Sequence, residues 1–125
     1  MINGKPQVLI IDDDPSHLRI YGWILEAADF QSIPALVVGD SLDLPANQPV
    51  DIIVLNYRLS GVLTAVEVAA KVRQFFPDSP IIVLSDLFGM PDDIASFAQT
   101  FVRKGQPEML IATIRLMTHR EPLEK

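Results

Sequence analysis

The sequence predicts an α/β fold in which a parallel sheet is covered by helices on both faces. Three short apolar runs, at residues 8–11, 52–55 and 81–84, each end in polar residues. Such runs are typical of parallel strands that are buried on both faces. Segments with helical spacing of apolar residues separate the runs, and this alternation favours a doubly wound sheet with right-handed crossovers.

The composition fits one globular domain that spans residues 1–125. Hydrophobic residues make up 49% of the chain and charged residues 21%, which is enough apolar material for a core on each side of a sheet. The formal charge of −6 and the lack of a basic stripe argue against direct nucleic-acid binding. The chain has no cysteine and no apolar run of membrane-spanning length. We expect a cytoplasmic domain without membrane contact.

The first half of the chain contains two predicted strands and one predicted helix. A strand at residues 7–11 precedes a helix at residues 16–28, in which apolar residues recur three or four apart. A strand at residues 30–38 contains Pro34, which removes a hydrogen-bond donor, so this strand should lie at an edge or carry a break. Residues 39–49 are the least regular part, and a helix there should be short or distorted.

Three acids, Asp12, Asp13 and Asp14, follow the first strand and precede Pro15. An aspartate before a proline is a typical helix start, with Asp14 as the N-cap. Capping does not explain the other two acids. Carboxylate oxygens suit a hard cation such as Mg²⁺, and both interpretations remain open at this point.

The second half of the chain continues the alternation of strands and helices. The predicted elements are a strand at 52–56, a helix at about 63–75, a strand at 81–84, a short helix at 91–99, a strand at 100–103 and a helix at 107–118.

Polar residues end four of the predicted strands: Asp12 with Asp13, then Asn56, Ser85 and Lys104. A parallel sheet brings its carboxyl ends to one edge, where ligands of open α/β sheets bind. The sequence therefore predicts two acids, an amide, a hydroxyl and an ammonium around one crevice.

These features resemble the receiver domain of response regulators in two-component signalling. The resemblance covers essentially the whole chain and rests on the segments 9–15, 51–59, 80–85 and 101–104. It implies a flavodoxin-like, five-stranded parallel sheet in the order 2-1-3-4-5. It also implies phosphoryl transfer from a histidine kinase to an aspartate, with Mg²⁺, as part of a phosphorelay.

The resemblance also implies roles for particular residues. Asp12 and Asp13 match the acids of the metal site, and the backbone carbonyl of Arg58 matches a third metal ligand. Ser85 and Lys104 match the residues that contact the phosphoryl group. No catalytic residue is implied, because the family signals and is not classed as an enzyme.

Three positions depart from the family pattern or bear on its switch. Asn56 stands at the phosphoacceptor position, and a neutral amide is a poor nucleophile, so phosphorylation should fail. The amide oxygen of Asn56 is a weak metal ligand because it carries no formal charge, so Mg²⁺ should bind weakly or not at all. Gly105 replaces the usual proline after the lysine, which makes a cis bond there unexpected. Phe101 matches the aromatic residue that changes rotamer on activation, at a surface for partners.

Several alternatives stay open at the level of sequence. Asn56 is either natural, in a pseudo-receiver that signals by protein contact, or the product of an aspartate-to-asparagine change in an ordinary receiver. Partners would be a histidine kinase, a phosphotransfer protein or an output protein, with a homodimer as a further option. Other classes are a phosphatase with an aspartyl nucleophile, because Asp14 follows Asp12 by two residues, and a metal-free α/β binding module. The chain ends soon after its last helix, which fits a single-domain receiver or a fragment.

Overall fold

Six strands and three α-helices make up residues 4–118, the part of the chain that this computed structural model describes. Residues 1–3 and 119–125, at the two ends of the expected single domain, lie outside the described part. The elements in chain order are β1 (Gln7–Asp12), α1 (Pro15–Ala27), β2 (Gln31–Val38), β3 (Ser41–Leu42), β4 (Ile52–Asn56), α2 (Ala65–Phe75), β5 (Ile81–Ser85), β6 (Thr100–Arg103) and α3 (Pro107–Thr118). No helix within residues 4–118 has the length and apolar character needed to cross a bilayer.

The strands form one sheet in the order β3-β2-β1-β4-β5-β6. The five strands other than β3 are parallel and have the predicted order, so the doubly wound α/β fold is confirmed. The short β3 is an addition that the sequence did not reveal. It runs antiparallel to the end of β2, because Gly39, with φ of 60°, and Asp40 close a tight turn between them.

Two apolar layers cover the sheet. Helices α1 and α3 pack on one face, and α2 packs on the other. The first layer is built from strand and helix residues that include Val54, Leu25 and Ile114, and the second includes Leu55 and Val68. Helix α2 begins with a capping box, in which the Thr64 hydroxyl and the Glu67 carboxylate each accept a backbone N–H of the other residue.

The prediction of a helix at residues 91–99 is wrong, because these residues form hydrogen-bonded turns. The Ile94 N–H donates to the Pro91 carbonyl over 3.3 Å, an i to i+3 bond of a turn. The Phe97 carbonyl accepts instead from the Arg73 guanidinium at 3.1 Å. So short a segment gains little from helical bonds alone, and tertiary bonds to α2 determine its path.

Pro34 lies in the part of β2 that forms the outer edge of the sheet, because β3 pairs only with Val37 and Val38. The Gln31 N–H donates to the Pro6 carbonyl, so N–H groups of odd-numbered residues in β2 point toward β1. Those of even-numbered residues therefore point to the outer edge, where the Ser32 N–H donates to the Glu26 carboxylate at 2.9 Å. The missing N–H of Pro34 therefore faces away from β1, where no strand pairs with this part of β2. This agrees with the prediction that the strand lies at an edge.

Candidate functional site

Three buried polar side chains lie at the carboxyl ends of neighbouring central strands. Asp12 ends β1, Asn56 ends β4 and Ser85 ends β5, and these residues are only 2%, 3% and 1% exposed. Polar residues are seldom buried this completely unless other groups bond to them. This edge of the sheet is therefore the candidate site, at the place where the sequence predicted it.

The Asn56 side-chain amide connects two other predicted site groups. Its Nδ2 donates to Asp12 Oδ1 over 3.1 Å and to the Arg58 backbone carbonyl over 2.9 Å. The reversed amide would place an acceptor oxygen against both of these acceptors, so the network sets the orientation. Asn56 Oδ1 is buried and has no hydrogen-bond donor within the described residues.

The Asp12 carboxylate accepts several donors at once. Its Oδ1 also receives the backbone N–H groups of Asp13, at 2.7 Å, and of Asp14, at 3.2 Å. Its Oδ2 lies 3.3 Å from His17 Nδ1. Burial raises the pKa of Asp12, the Asp13 side chain raises it further, and the two backbone donors and His17 oppose this rise.

His17 is a neighbour of the site that the sequence did not place there. Its Nε2 is 3.6 Å from Asp14 Oδ2, so the ring lies between two carboxylates. Asp14 is the N-cap of α1, where its carboxylate accepts the Ser16 N–H at 2.9 Å. The signal that could have found His17 was its position three residues after this cap, one helical turn away.

The second acid, Asp13, holds the loop after β4. Its Oδ2 accepts the Ser60 hydroxyl at 2.6 Å and the Ser60 N–H at 2.7 Å. Burial raises the pKa of Asp13, but the two hydrogen bonds from Ser60, together with smaller effects of the Asp12 side chain and the Asp13 backbone, lower the pKa below its ordinary value. Ser60 was also missed, because nothing in the sequence shows which loop donor a strand-end carboxylate will bind.

A backbone hydrogen bond joins Ser85 and Lys104. The Lys104 N–H donates to the Ser85 carbonyl at 2.8 Å, and Ser85 Oγ accepts the Leu87 N–H at 3.0 Å. Within residues 4–118 the Lys104 ammonium has no hydrogen bond or ion pair. The following Gly105 has φ of 82°, which a glycine adopts without strain.

A salt bridge lies beside this edge, between the Arg58 guanidinium and the Asp86 carboxylate at 3.1 Å. The hydrogen bond from Arg58 is the largest cause that lowers the pKa of Asp86, and the charge of Lys104 adds a smaller effect. Arg58 therefore contributes a side chain as well as the carbonyl that the sequence suggested.

Phe101 lies half-buried on the edge strand β6 and belongs to neither apolar layer. Two residues further, the Arg103 guanidinium stacks over the Phe88 ring at 4.3 Å from its centroid. Phe88 is 87% exposed, so this edge of the sheet presents aromatic surface to solvent. A rotamer change of Phe101 remains a prediction.

Two of the predicted metal ligands, Asp12 Oδ1 and the Arg58 carbonyl, both accept a hydrogen bond from the Asn56 amide. The nitrogen of the Asn56 amide lies against both Asp12 Oδ1 and the Arg58 carbonyl, the two oxygens nearest to it. No group of three or more histidine, cysteine or acidic side chains within residues 4–118 could hold a metal ion. A divalent cation bound to both oxygens would have to displace this nitrogen.

Comparisons with known proteins agree with this geometry. The sequence profile described as response regulator receiver domain matches residues 8–115. The transcriptional regulatory protein GlrR of Escherichia coli (strain K12) is 24% identical over 99 residues, which cover 78% of this chain and 22% of that protein. This chain thus spans about a fifth of the length of the curated relatives it matches.

Solved structures share the fold at low sequence identity. The Vibrio cholerae chemotaxis protein CheY4 has a TM-score of 0.74 at 19% identity, covering 91% of this chain and 99% of its own. A CheY-like receiver domain protein from Methanospirillum hungatei JF-1 has a TM-score of 0.72 at 17% identity, covering 90% and 93%. Since the family profile spans most of the sequence, the chain belongs to the response regulator receiver domain family.

Proposed function

We propose that this chain is a receiver domain that signals by protein contact without being phosphorylated. Receivers of this family act in two-component signalling, and the proposal places Asn56 at their phosphoacceptor position. The observation that carries it is the pair of hydrogen bonds from Asn56 Nδ2 to Asp12 and to the Arg58 carbonyl. These bonds give the Asn56 Nδ2 group two acceptors without a phosphoryl group or a cation.

The chemistry of the amide argues against phosphoryl transfer. An acceptor aspartate attacks phosphorus with an anionic oxygen and forms an acyl phosphate. A carboxamide oxygen carries no formal charge and is a much weaker nucleophile. Without the acyl phosphate, Ser85 and Lys104 have no phosphoryl group to contact, although both remain at the same edge.

The same amide takes over part of the role of a cation. Receiver domains in general bind Mg²⁺, whose charge offsets the acids of the site. Here the positive end of the Asn56 amide faces Asp12 Oδ1 and the Arg58 carbonyl, at 3.1 Å and 2.9 Å. We propose that Mg²⁺, held by Asp12, Asp13 and the Arg58 carbonyl, binds weakly or not at all.

The proposed contact surface is formed by Phe101 and Arg103 of β6 and by the exposed Phe88, over whose ring the Arg103 guanidinium stacks. Phosphorylation can shift a receiver between two arrangements only by binding one of them better. A chain that takes no phosphate keeps one population, set by its sequence. Candidate partners are a histidine kinase, a phosphotransfer protein or an output protein.

Acetyl phosphate with Mg²⁺ tests the proposal directly. Intact-mass spectrometry should find no adduct of about 80 Da, the mass of a phosphoryl group, on the unsubstituted chain. The variant Asn56→Asp is the matched control and should gain that adduct, since Asp12, Asp13 and Lys104 remain. An adduct on the unsubstituted chain that maps to the peptide containing Asn56 would show that the proposal is wrong.

A further inference from the structure

A groove runs along the surface between α1 and α3, away from the candidate site. It has a volume of about 450 Å³, and small residues, Ala27 on α1 and Ala112 on α3, lie along it. It joins a larger groove of about 950 Å³ below the amino-terminal edge of the sheet, because Ala28, Ala112 and Arg115 line both. The two helices therefore leave a continuous depression that no described side chain fills.

Large apolar side chains stand beside this groove. Trp23 is 66% exposed and lies one turn before Ala27 on α1. Leu116 is 81% exposed and lies one turn after Ala112 on α3. Leu116 lines the larger groove, and Trp23 lies on the same face of α1 as Ala27, because residues four apart share a helix face. An exposed apolar patch beside a groove is typical of a protein interaction site.

The charges in the groove are arranged so that the surface complements itself. Glu108, Ala112 and Arg115 follow a spacing of four and three, which places them on one face of α3. The two charged residues are seven positions apart, about 10 Å along the helix axis. Within residues 4–118, Glu108 has no ion pair. The Arg115 guanidinium donates to the Ala28 carbonyl at 3.3 Å and lies 5.9 Å from the centroid of the Phe30 ring, with no acid of the described residues paired to it.

We propose that a second copy of this chain occupies the groove and forms a two-fold homodimer through the α1–α3 face. Antiparallel α3 helices, with the two-fold axis near Ala112, bring Glu108 of each copy to Arg115 of the other. A two-fold contact needs one patch that complements itself, and this patch carries both charges at matching distances from its centre. Trp23 and Leu116 supply the apolar area around the axis.

Reciprocal charge reversal tests the arrangement. Glu108→Arg alone and Arg115→Glu alone should each weaken self-association by about tenfold or more, because like charges then face each other. An equimolar mixture of the two variants should recover it, since both inter-chain pairs are again of opposite charge. Light scattering after size exclusion and sedimentation velocity measure the mass, and thermal melts verify that each variant is folded.

Two further variants keep the test decisive. Ala112→Glu changes an exposed residue and places two like charges at the proposed axis, so it should also dissociate the dimer. Val62→Ser removes comparably exposed apolar surface in the loop between β4 and α2, outside the groove, and should leave self-association unchanged. Trp23 is the only tryptophan, and its emission should shift to the blue as the protein concentration rises.

Three outcomes would overturn the proposal: a monomer at all concentrations up to about 1 mM, a dimer that ignores both charge reversals, or a mixture that stays monomeric. A groove that binds a helix of another protein instead would appear as the first outcome. None of these results bears on phosphorylation, so the proposed function is tested separately by the acetyl phosphate experiment.

Discussion

Replacing Asn56 by aspartate should destabilise the domain in the absence of a divalent cation. The substitution keeps the shape of the side chain but turns the buried donor into an acceptor. Asp12 Oδ1 and the Arg58 carbonyl, now 3.1 Å and 2.9 Å from the amide nitrogen, would then face a carboxylate oxygen. Two hydrogen bonds become two repulsive contacts, one of them between buried like charges.

The expected size follows from the bonds that are lost. A hydrogen bond to a charged acceptor contributes about 1.5–3 kcal/mol, and one between neutral groups about 1 kcal/mol. We therefore expect a loss of about 3 kcal/mol in the free energy of unfolding at pH 7. For a domain of this length that is a fall of about 10 °C in the melting temperature.

Mg²⁺ and pH should change the two proteins differently. A cation that binds only the folded Asn56→Asp variant restores about 2.7 kcal/mol at a hundred times its dissociation constant, whereas the unsubstituted chain should barely respond. The variant should also recover at low pH. Adjacent carboxylates raise each other's pKa in the folded state, so the stability that protonation gives is present at low pH and lost as pH rises through the raised pKa.

The measurement is thermal or urea unfolding with EDTA and with a Mg²⁺ series, for both proteins. Asn56→Leu serves as the control, because it removes both hydrogen bonds without adding charge and should stay insensitive to Mg²⁺. Equal stability of the unsubstituted chain and the Asn56→Asp variant in EDTA, or equal stabilisation of both by Mg²⁺, would refute the assignment of the amide as a substitute for the cation.

Three further predictions concern the surroundings of the site. Phe101→Ala should lower stability by about 1–2 kcal/mol, less than truncation of a fully buried core residue, while it weakens partner binding; a large loss of stability with unchanged binding would make Phe101 a core residue. Ser60→Ala removes a hydroxyl donor from Asp13 and should cost about 1 kcal/mol at neutral pH. Because the folded pKa of Asp13 is lowered, this difference should vanish as pH falls through that pKa, which a pH series of melts would reveal. A phosphate monoester should not be turned over, and hydrolysis that is lost in Asp12→Asn would instead support the phosphatase alternative, with Asp14 as its acid.

The sequence was most informative where burial and periodicity act together. The strands at 52–56 and 100–103 and the helix at 107–118 have the predicted bounds. Their apolar runs and stripes are set by the two faces of the sheet, which leave little freedom. The same runs located Asp12, Asn56 and Ser85, since a parallel strand must end where its apolar run does.

The sequence was least informative where tertiary bonds decide the conformation. Residues 91–99 have helical spacing and acids in the first turn. The Arg73 guanidinium nevertheless donates to the Phe97 carbonyl, and the segment forms turns instead of a helix. β3 depends on a two-residue turn at Gly39 and Asp40. Residues 39–49 contain several turn-forming residues, so the sequence does not show which of them form this turn. The contacts of His17 and Ser60 depend on side-chain directions that spacing alone does not give.

The buried amide changes what can regulate this domain. In a receiver with an acceptor aspartate, charge at the strand ends varies with cation and phosphoryl group, and the populations of two arrangements follow that charge. Under the proposed function, Asn56 keeps a neutral amide at this position, where it donates to Asp12 and to the Arg58 carbonyl. A phosphoryl group on Asn56 would then not be available to favour one arrangement over the other. We then expect regulation to come from binding elsewhere, so that the concentration of a partner, or of the chain itself at the proposed α1–α3 interface, shifts the equilibrium.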